Sequence, residues 1–177
     1  MVKRMTVESK SEMSDQRNKR PGAQIRIATP EDMDGMIPMV NAAFAIEAFI
    51  DGTRTDRERM SEMMQKGIFL VAEDASGRIV ACVYAEVRGE RGYFGMLAVE
   101  PSKQRTGLGR RMAEAAEGYC RQRGCGWMDI SVLTLRPELL PYYQKLGYRE
   151  TRREDFYPSR PLKEGFECQS IVMSKEL

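Results

Sequence analysis

One strand–helix–strand segment of the sequence has the pattern of a crossover connection. Three apolar segments between residues 68 and 99 follow one another across short turns that are rich in glycine and charge, a pattern typical of antiparallel strands. A helix-length segment, residues 107–123, separates the last of them from the next strand, residues 127–132. Parallel strands need such a crossover connection. The sequence therefore predicts a mixed, mostly antiparallel sheet flanked by helices, with one parallel strand–helix–strand unit within residues 93–132.

The remaining segments complete an α/β order of β-α-α-β-β-β-α-β-α-β-β. Capping patterns predict helices that begin near Thr29 and Thr55, and Pro137 opens a third helix that Gly147 ends. The last two strands are expected over residues 148–156 and 166–174. We therefore expect a single domain over residues 24–177. Residues 1–23 hold six Lys and Arg side chains and no apolar run, which predicts a polar, mobile N-terminal extension rather than a signal peptide.

The composition excludes several classes of function. The chain has 177 residues and no histidine, so it contains no Ser-His-Asp triad, Cys-His dyad or HExxH metal site. Its net charge of +2, from 28 Lys and Arg against 26 Asp and Glu, predicts no general attraction to nucleic acid or membrane. The four cysteines lack CxxC spacing, and we expect free thiols in a reducing cytoplasm and no metal site.

The segment from Leu97 to Arg111 has the pattern of an anion site. A strand ends, a short loop follows, and Gly107 and Gly109 open a helix, whose first turn presents unpaired N–H groups. Lys103, Arg105, Arg110 and Arg111 are expected to surround that point with positive charge. The alternative is an ordinary flexible cap with a solvated basic turn. The segment lacks the Lys-Ser/Thr pair of a P-loop and the third glycine of a dinucleotide fingerprint.

Two motifs at the proper separation resemble the GNAT superfamily of acyl-CoA-dependent N-acyltransferases. Gln104-x-x-Gly107-x-Gly109 matches the Q/R-x-x-G-x-G/A signature of that family. The segment Leu139-Leu-Pro-Tyr-Tyr-Gln-Lys-Leu-Gly-Tyr148 is similar to its later "fYekLGF" motif. The order of elements also matches, so the resemblance covers roughly residues 24–176.

The resemblance implies a binding site for acetyl-CoA, used as co-substrate. Strand backbone is expected to pair with the pantetheine arm, and the loop and helix start are expected to hold the pyrophosphate. It also implies that Tyr143 acts as the general acid toward the departing thiolate, the alternative being that it only packs a helix face. Tyr142 is expected to be structural or to face the substrate. The residues implied in coenzyme binding are Leu97, Ala98, Val99, Gln104, Arg105, Thr106, Gly107, Leu108, Gly109 and Arg110.

The sequence departs from the family pattern at two places. Position 136 is Arg where many members carry an Asn that contacts the coenzyme. Residues 93–99 contain no acid, although some members place a glutamate base there. The general base is therefore unidentified. A water held by Glu86 is one candidate, and an amine that arrives neutral needs no base.

The expected function is acetyl transfer from acetyl-CoA to a primary amine of a small molecule or peptide, by direct attack on the thioester. The alternatives are a non-catalytic acyl-CoA-binding sensor or regulatory module, and an adaptor that uses its basic residues. Glu47, Asp51 and Glu86 are candidates for attracting a cationic amine, or else are solvated surface acids. The expected partners are acetyl-CoA and an amine, with no nucleic acid and no membrane, and the sequence leaves open whether the chain forms a homodimer.

Overall fold

The structure, a computed structural model, describes residues 23–156 and 160–177. The predicted N-terminal extension thus lies outside the described residues, apart from Ala23. Two short 3-10 turns, Pro30–Asp32 and Pro101–Lys103, accompany the regular elements. These are β1 (Gln24–Ile27), α1 (Met33–Ala43), α2 (Arg57–Lys66), β2 (Ile68–Glu73), β3 (Ile79–Arg88), β4 (Arg91–Val99), α3 (Leu108–Arg121), β5 (Trp127–Leu133), α4 (Leu139–Lys145), β6 (Arg149–Asp155) and β7 (Gln169–Glu176).

The strands form one seven-stranded sheet in the order β1-β2-β3-β4-β5-β7-β6. All neighbouring strands are antiparallel except β4 and β5, which are parallel. The predicted mixed sheet with one parallel unit is therefore confirmed. The parallel pairing involves only Arg91–Tyr93 and Trp127–Asp129. Beyond these residues β4 and β5 continue without pairing to each other, so a cleft opens between them.

Helices cover both faces of the sheet. On one face α3 buries Met112, Ala116 and Cys120 against strand residues that include Phe94 and Ile130. On the other face α1 and α2 pack against a second cluster of side chains, which contains Met36, Met60, Phe69, Cys82 and Met96. All four cysteines are free thiols, as predicted, and burial raises the pKa of Cys82 to about 12. Within the described residues, every helix is too short or too polar to span a bilayer.

Two predicted boundaries differ from the structure. The N-cap of α2 is Asp56 rather than Thr55, because the Asp56 carboxylate accepts a hydrogen bond from the backbone N–H of Arg59 at 2.9 Å. The last strand begins at Gln169 rather than Phe166. The preceding residues pair with the loop after α1 instead, since the N–H of Lys163 donates to the carbonyl oxygen of Phe49 at 2.9 Å.

Candidate active site

A bulge in β4 shapes one wall of the cleft. Cys82 pairs with Ala98 and Tyr84 pairs with Gly95, so β4 carries one residue more than β3 between these pairs. Met96 absorbs the extra residue with a φ of +50°. After the bulge Leu97 and Val99 face the cleft, whereas the side chain of Ala98 is buried in the opposite layer. This part of β4 borders the gap left by β5, so its backbone edge is open to an extended ligand.

The loop after β4 forms a cradle of backbone N–H groups. Gly107 is the N-cap of α3 with a φ of +84°, and no side chain caps the helix. No described group accepts a hydrogen bond from the N–H groups of residues 105–110. Gln104 ties the loop to the end of β4, because its side-chain Nε2 donates to the carbonyl oxygen of Val99 at 3.1 Å. Unpaired N–H groups at a helix start bind anions, so the cradle suits a phosphate.

The basic residues around the cradle divide into two pairs. Arg105 and Arg110 line the cleft, and Arg110 also pairs with Glu114 at 2.7 Å. Lys103 does not line the cleft, and the Arg111 guanidinium donates to the carbonyl oxygen of Ala23 at 2.8 Å. The expectation that all four would surround the site was therefore wrong for these two. For Arg111 the cause is the α-helical turn, which points neighbouring side chains about 100° apart, whereas Lys103 lies on the 3-10 turn before the loop.

Two predicted coenzyme-binding residues of the loop and helix start do not reach the cleft with their side chains. The hydroxyl of Thr106 donates to the carbonyl oxygen of Lys103 at 2.7 Å, which stabilises the loop. Leu108 is buried in the core beneath α3. Their backbone N–H groups nevertheless belong to the cradle, so these two residues remain available to a ligand through the main chain.

Tyr143 lies on α4 and lines the cleft. Its ring packs against Phe94, with 6.1 Å between centroids, and against Tyr148 at 6.0 Å. No described residue forms a hydrogen bond with its hydroxyl. Burial raises the pKa of Tyr143 well above its usual range, and the nearby Tyr142 adds to this rise. Tyr143 therefore keeps its proton at neutral pH and can donate it into the cleft. Tyr142 also lines the cleft and is 36% exposed.

The cleft has a volume of about 750 Å³. One end is the cradle, and the other end is lined by Phe44, Glu47, Arg54, Arg59 and Arg136. Glu47 is buried, and its two carboxylate oxygens accept hydrogen bonds from Arg54 at 3.1 Å and from Arg136 at 3.0 Å. We call Arg54, Arg59 and Arg136, together with Glu47, the arginine cluster.

The three acids considered as receptors for a cationic amine do not meet at one place in the structure. Glu47 is already matched by two guanidinium groups. Asp51 is exposed and does not line the cleft. Glu86 accepts hydrogen bonds from the Tyr84 hydroxyl and from Arg88, and it does not line the cleft. The sequence carries no local signal for the cluster, because Glu47 and Arg136 lie 89 positions apart.

The comparison with protein families agrees with this geometry. Residues 29–158 match the family described as acetyltransferase (GNAT) domain. The chain belongs to the GNAT acetyltransferase family. The family and the acyltransferase class predicted from the two motifs are thus confirmed, and the mixed sheet is the GNAT fold.

Two curated relatives of this GNAT domain are longer proteins. The chain is 30% identical over 157 residues to an amino-acid acetyltransferase from Ralstonia nicotianae, covering 86% of this chain and 32% of the relative. It is 25% identical over 140 residues to a mycothiol acetyltransferase from Propionibacterium freudenreichii, covering 74% of this chain and 45% of the relative. The chain thus spans less than half the length of either relative.

Solved structures share the fold at low sequence identity. The ribosomal-protein-S18-alanine N-acetyltransferase from Escherichia coli superposes with a TM-score of 0.69 at 17% identity, covering 86% of this chain and 92% of that one. The yncA protein from Salmonella typhimurium, solved with its cofactor acetyl-CoA, gives a TM-score of 0.68 at 18% identity, covering 88% of this chain and 94% of that one.

Proposed function

We propose that this GNAT domain transfers an acetyl group from acetyl-CoA to a primary amine. The observation that carries the proposal is the cradle of unpaired N–H groups at residues 105–110, placed at one end of a cleft between two diverging parallel strands. In the reaction the amine nitrogen forms a bond to the acetyl carbon and gives up one proton to solvent, while the bond from that carbon to sulfur breaks and the sulfur takes up one proton. Acetyl-CoA supplies an acyl group that is activated as a thioester.

Groups of the chain itself hold the pyrophosphate and the amide-bearing arm of the coenzyme. The N–H groups from Arg105 to Arg110 point at the position that suits a pyrophosphate, and the guanidinium groups of both residues add positive charge. The open edge of β4 at Leu97, Ala98 and Val99 offers backbone groups to an extended amide-bearing arm. Fixing both reactants in this way lowers the entropic part of the barrier.

Tyr143 supplies the proton that the leaving sulfur needs. Its hydroxyl has no acceptor among the described residues, and burial holds its pKa above the ordinary value of about 10. We expect kcat of Tyr143→Phe to fall by about 10²-fold, a typical contribution of a positioned general acid, while the Kd for acetyl-CoA changes little. Because the pKa is raised, the wild-type rate is not expected to decline between pH 8 and pH 10. An alkaline decline centred below pH 9 that disappears in Tyr143→Phe would contradict this role.

Binding of acetyl-CoA is tested by titration calorimetry on two glycine variants of α3. At Gly109 an added Cβ lies 3.1 Å from the Tyr142 hydroxyl oxygen, whereas at Gly118 it meets no atom within 4 Å. Both positions belong to the same helix, so Gly118→Val is a matched control for helix propensity. We expect stoichiometric binding by the wild type and Gly118→Val, and at least tenfold weaker binding by Gly109→Val. Equal affinities in the two variants would exclude the cradle.

Release of free CoA with a panel of amines separates an enzyme from an acyl-CoA sensor. We expect thiol release that depends on the amine. Stoichiometric binding without release for every amine would instead support the non-catalytic module. We further propose a cytoplasmic location, because all four cysteines are free, and no nucleic-acid or membrane partner, because the net charge is only +2.

A further inference from the structure

One guanidinium group of the arginine cluster, that of Arg59, has no ion-pair partner among the described residues. Glu47 pairs with Arg54 and Arg136, and Arg136 also pairs with Glu138. Three guanidinium groups therefore face two carboxylates, and no described residue forms an ion pair with Arg59. Two other acids line the cleft from β6, namely Glu154, which pairs with Arg152, and Asp155, which is exposed. The carboxylates of Asp56 and Glu62 also act on Arg59, without forming an ion pair with it.

The cluster also contains buried donors without acceptors. The Nε atoms of Arg54 and Arg59 are buried, and no described group accepts a hydrogen bond from either. Burial lowers the pKa of Arg59, and the positive charges of Arg54 and Arg160 lower it further. Buried donors without partners are costly, so they mark a place where a ligand supplies the missing acceptor.

The cluster is rigid and close to the reacting groups. The Arg54 guanidinium stacks over the Phe44 ring at 4.6 Å while it binds Glu47, so its position is held from two sides. The charge of Arg54 acts on the Tyr93 hydroxyl beside the β4 bulge, and the charge of Arg136 acts on Tyr143. An anion bound by the cluster therefore lies next to the place where the amine must react.

Two loops join at this end of the cleft. The N–H of Asp51 donates to the carbonyl oxygen of Pro161 at 2.9 Å, and Ile50 forms a β-bridge with Leu162. Arg160 pairs with Asp56 at the start of α2. The loop after α1 is thus tied to the segment before β7 by main-chain bonds, which favours a small acceptor over a long peptide.

We propose that the acceptor is a small amine that itself carries a carboxylate, as a free amino acid does, and that the arginine cluster binds this carboxylate. The inference rests on the proposed acetyl transfer and names the class of its substrate. A guanidinium fork matches the two oxygens of a carboxylate. A single guanidinium group without an ion-pair partner among the described residues fits a monoanion better than a phosphate dianion.

The test compares each of the twenty L-amino acids with its own C-terminal amide. Thiol release gives kcat/KM, and calorimetry of the same compounds on CoA-saturated protein gives binding without turnover. We expect at least one free acid to exceed its amide by tenfold or more in both measurements. In Arg59→Gln the preference for the acid is expected to fall to threefold or less through a higher KM, because a hydrogen bond to a charged group is lost.

Arg57→Gln is the matched control, because Arg57 lies on the same helix but is exposed, pairs with Asp34 and does not line the cleft. It is expected to keep the wild-type preference.

O-phosphoethanolamine and a peptide with an acidic second residue complete the panel. Three results would overturn the inference. They are higher kcat/KM with either of these two compounds, equal kcat/KM for acid and amide, and equal losses of kcat/KM on acid and amide in Arg59→Gln. Acetylation of other amines without any preference for a carboxylate refutes the proposed substrate class but still supports the proposed acetyl transfer. Absence of all release with intact acetyl-CoA binding refutes the activity, and the calorimetry then still decides whether the acids bind.

Discussion

Substitution of Gly95 by Ala tests how closely β4 and Tyr93 pack at the bulge. A Cβ added at Gly95 would lie 2.6 Å from the Tyr93 hydroxyl oxygen, 3.1 Å from Cζ and 3.2 Å from Cε1. Carbon atoms in favourable contact are about 3.5–4.0 Å apart. The Tyr93 ring must therefore move, but the Arg88 guanidinium lies 4.1 Å from its centroid and the Tyr84 ring packs at 6.5 Å.

The expected cost follows from this crowding. Overpacking of a well-packed site costs about 1–3 kcal/mol, and we expect Gly95→Ala to lower the free energy of unfolding by that amount. Tyr93→Phe removes the shortest of the three contacts and leaves the two ring contacts. Because no described residue hydrogen-bonds to the Tyr93 hydroxyl, this variant alone is expected to change stability by less than about 0.5 kcal/mol.

A double-mutant cycle measures the contact directly. Urea denaturation of the wild type, both single variants and Gly95→Ala/Tyr93→Phe gives the four free energies of unfolding. We expect the double variant to recover at least about 0.5 kcal/mol relative to additivity. Gly126→Ala is the control, because an added Cβ there meets no atom within 4 Å. A cost of Gly95→Ala no greater than that of the control, or strict additivity in the cycle, would refute the reasoning.

Two further predictions concern ion pairs that stabilise the fold. Glu117 is buried and accepts hydrogen bonds from Lys175 and from the Tyr148 hydroxyl, both at 2.8 Å. Glu117→Leu should therefore lower the free energy of unfolding in urea by about 3 kcal/mol, and Glu117→Gln by clearly less, because the amide oxygen still accepts from Tyr148. Equal losses in the two variants would contradict this. Hydrogen bonds from Arg26 lower the pKa of Asp32 from 3.8 to about 2. A shift of this size corresponds to about 2 kcal/mol of stability, which is present above the unfolded-state pKa and is lost as the pH falls through the folded-state pKa near 2. Asp32→Asn should therefore flatten the stability profile in that window, and an unchanged slope would argue against it.

The cradle was predictable from the sequence because its parts are neighbours in the chain. A strand end, a short loop and two glycines before a helix lie within Leu97–Gly109, and helix geometry alone leaves the first N–H groups unpaired. Tyr143 was predictable only through its motif, since a buried tyrosine on a short helix has no distinguishing local pattern. The positions of Lys103 and Arg111 were predicted wrongly, because charge in the sequence does not show which way a side chain points.

Local chemistry thus accounts for the strands, the crossover helix α3 and the anion site at its start, since each depends on residues a few positions apart. The divergence of β4 from β5, the bulge at Met96 and the arginine cluster depend on tertiary structure. Arg54 and Arg136 meet at Glu47 only because the sheet brings the loop after α1 beside the end of β5. Burial then turns an acid that looked like a receptor for cations into the centre of a positively charged pocket, because a buried carboxylate is stable only when opposite charges surround it.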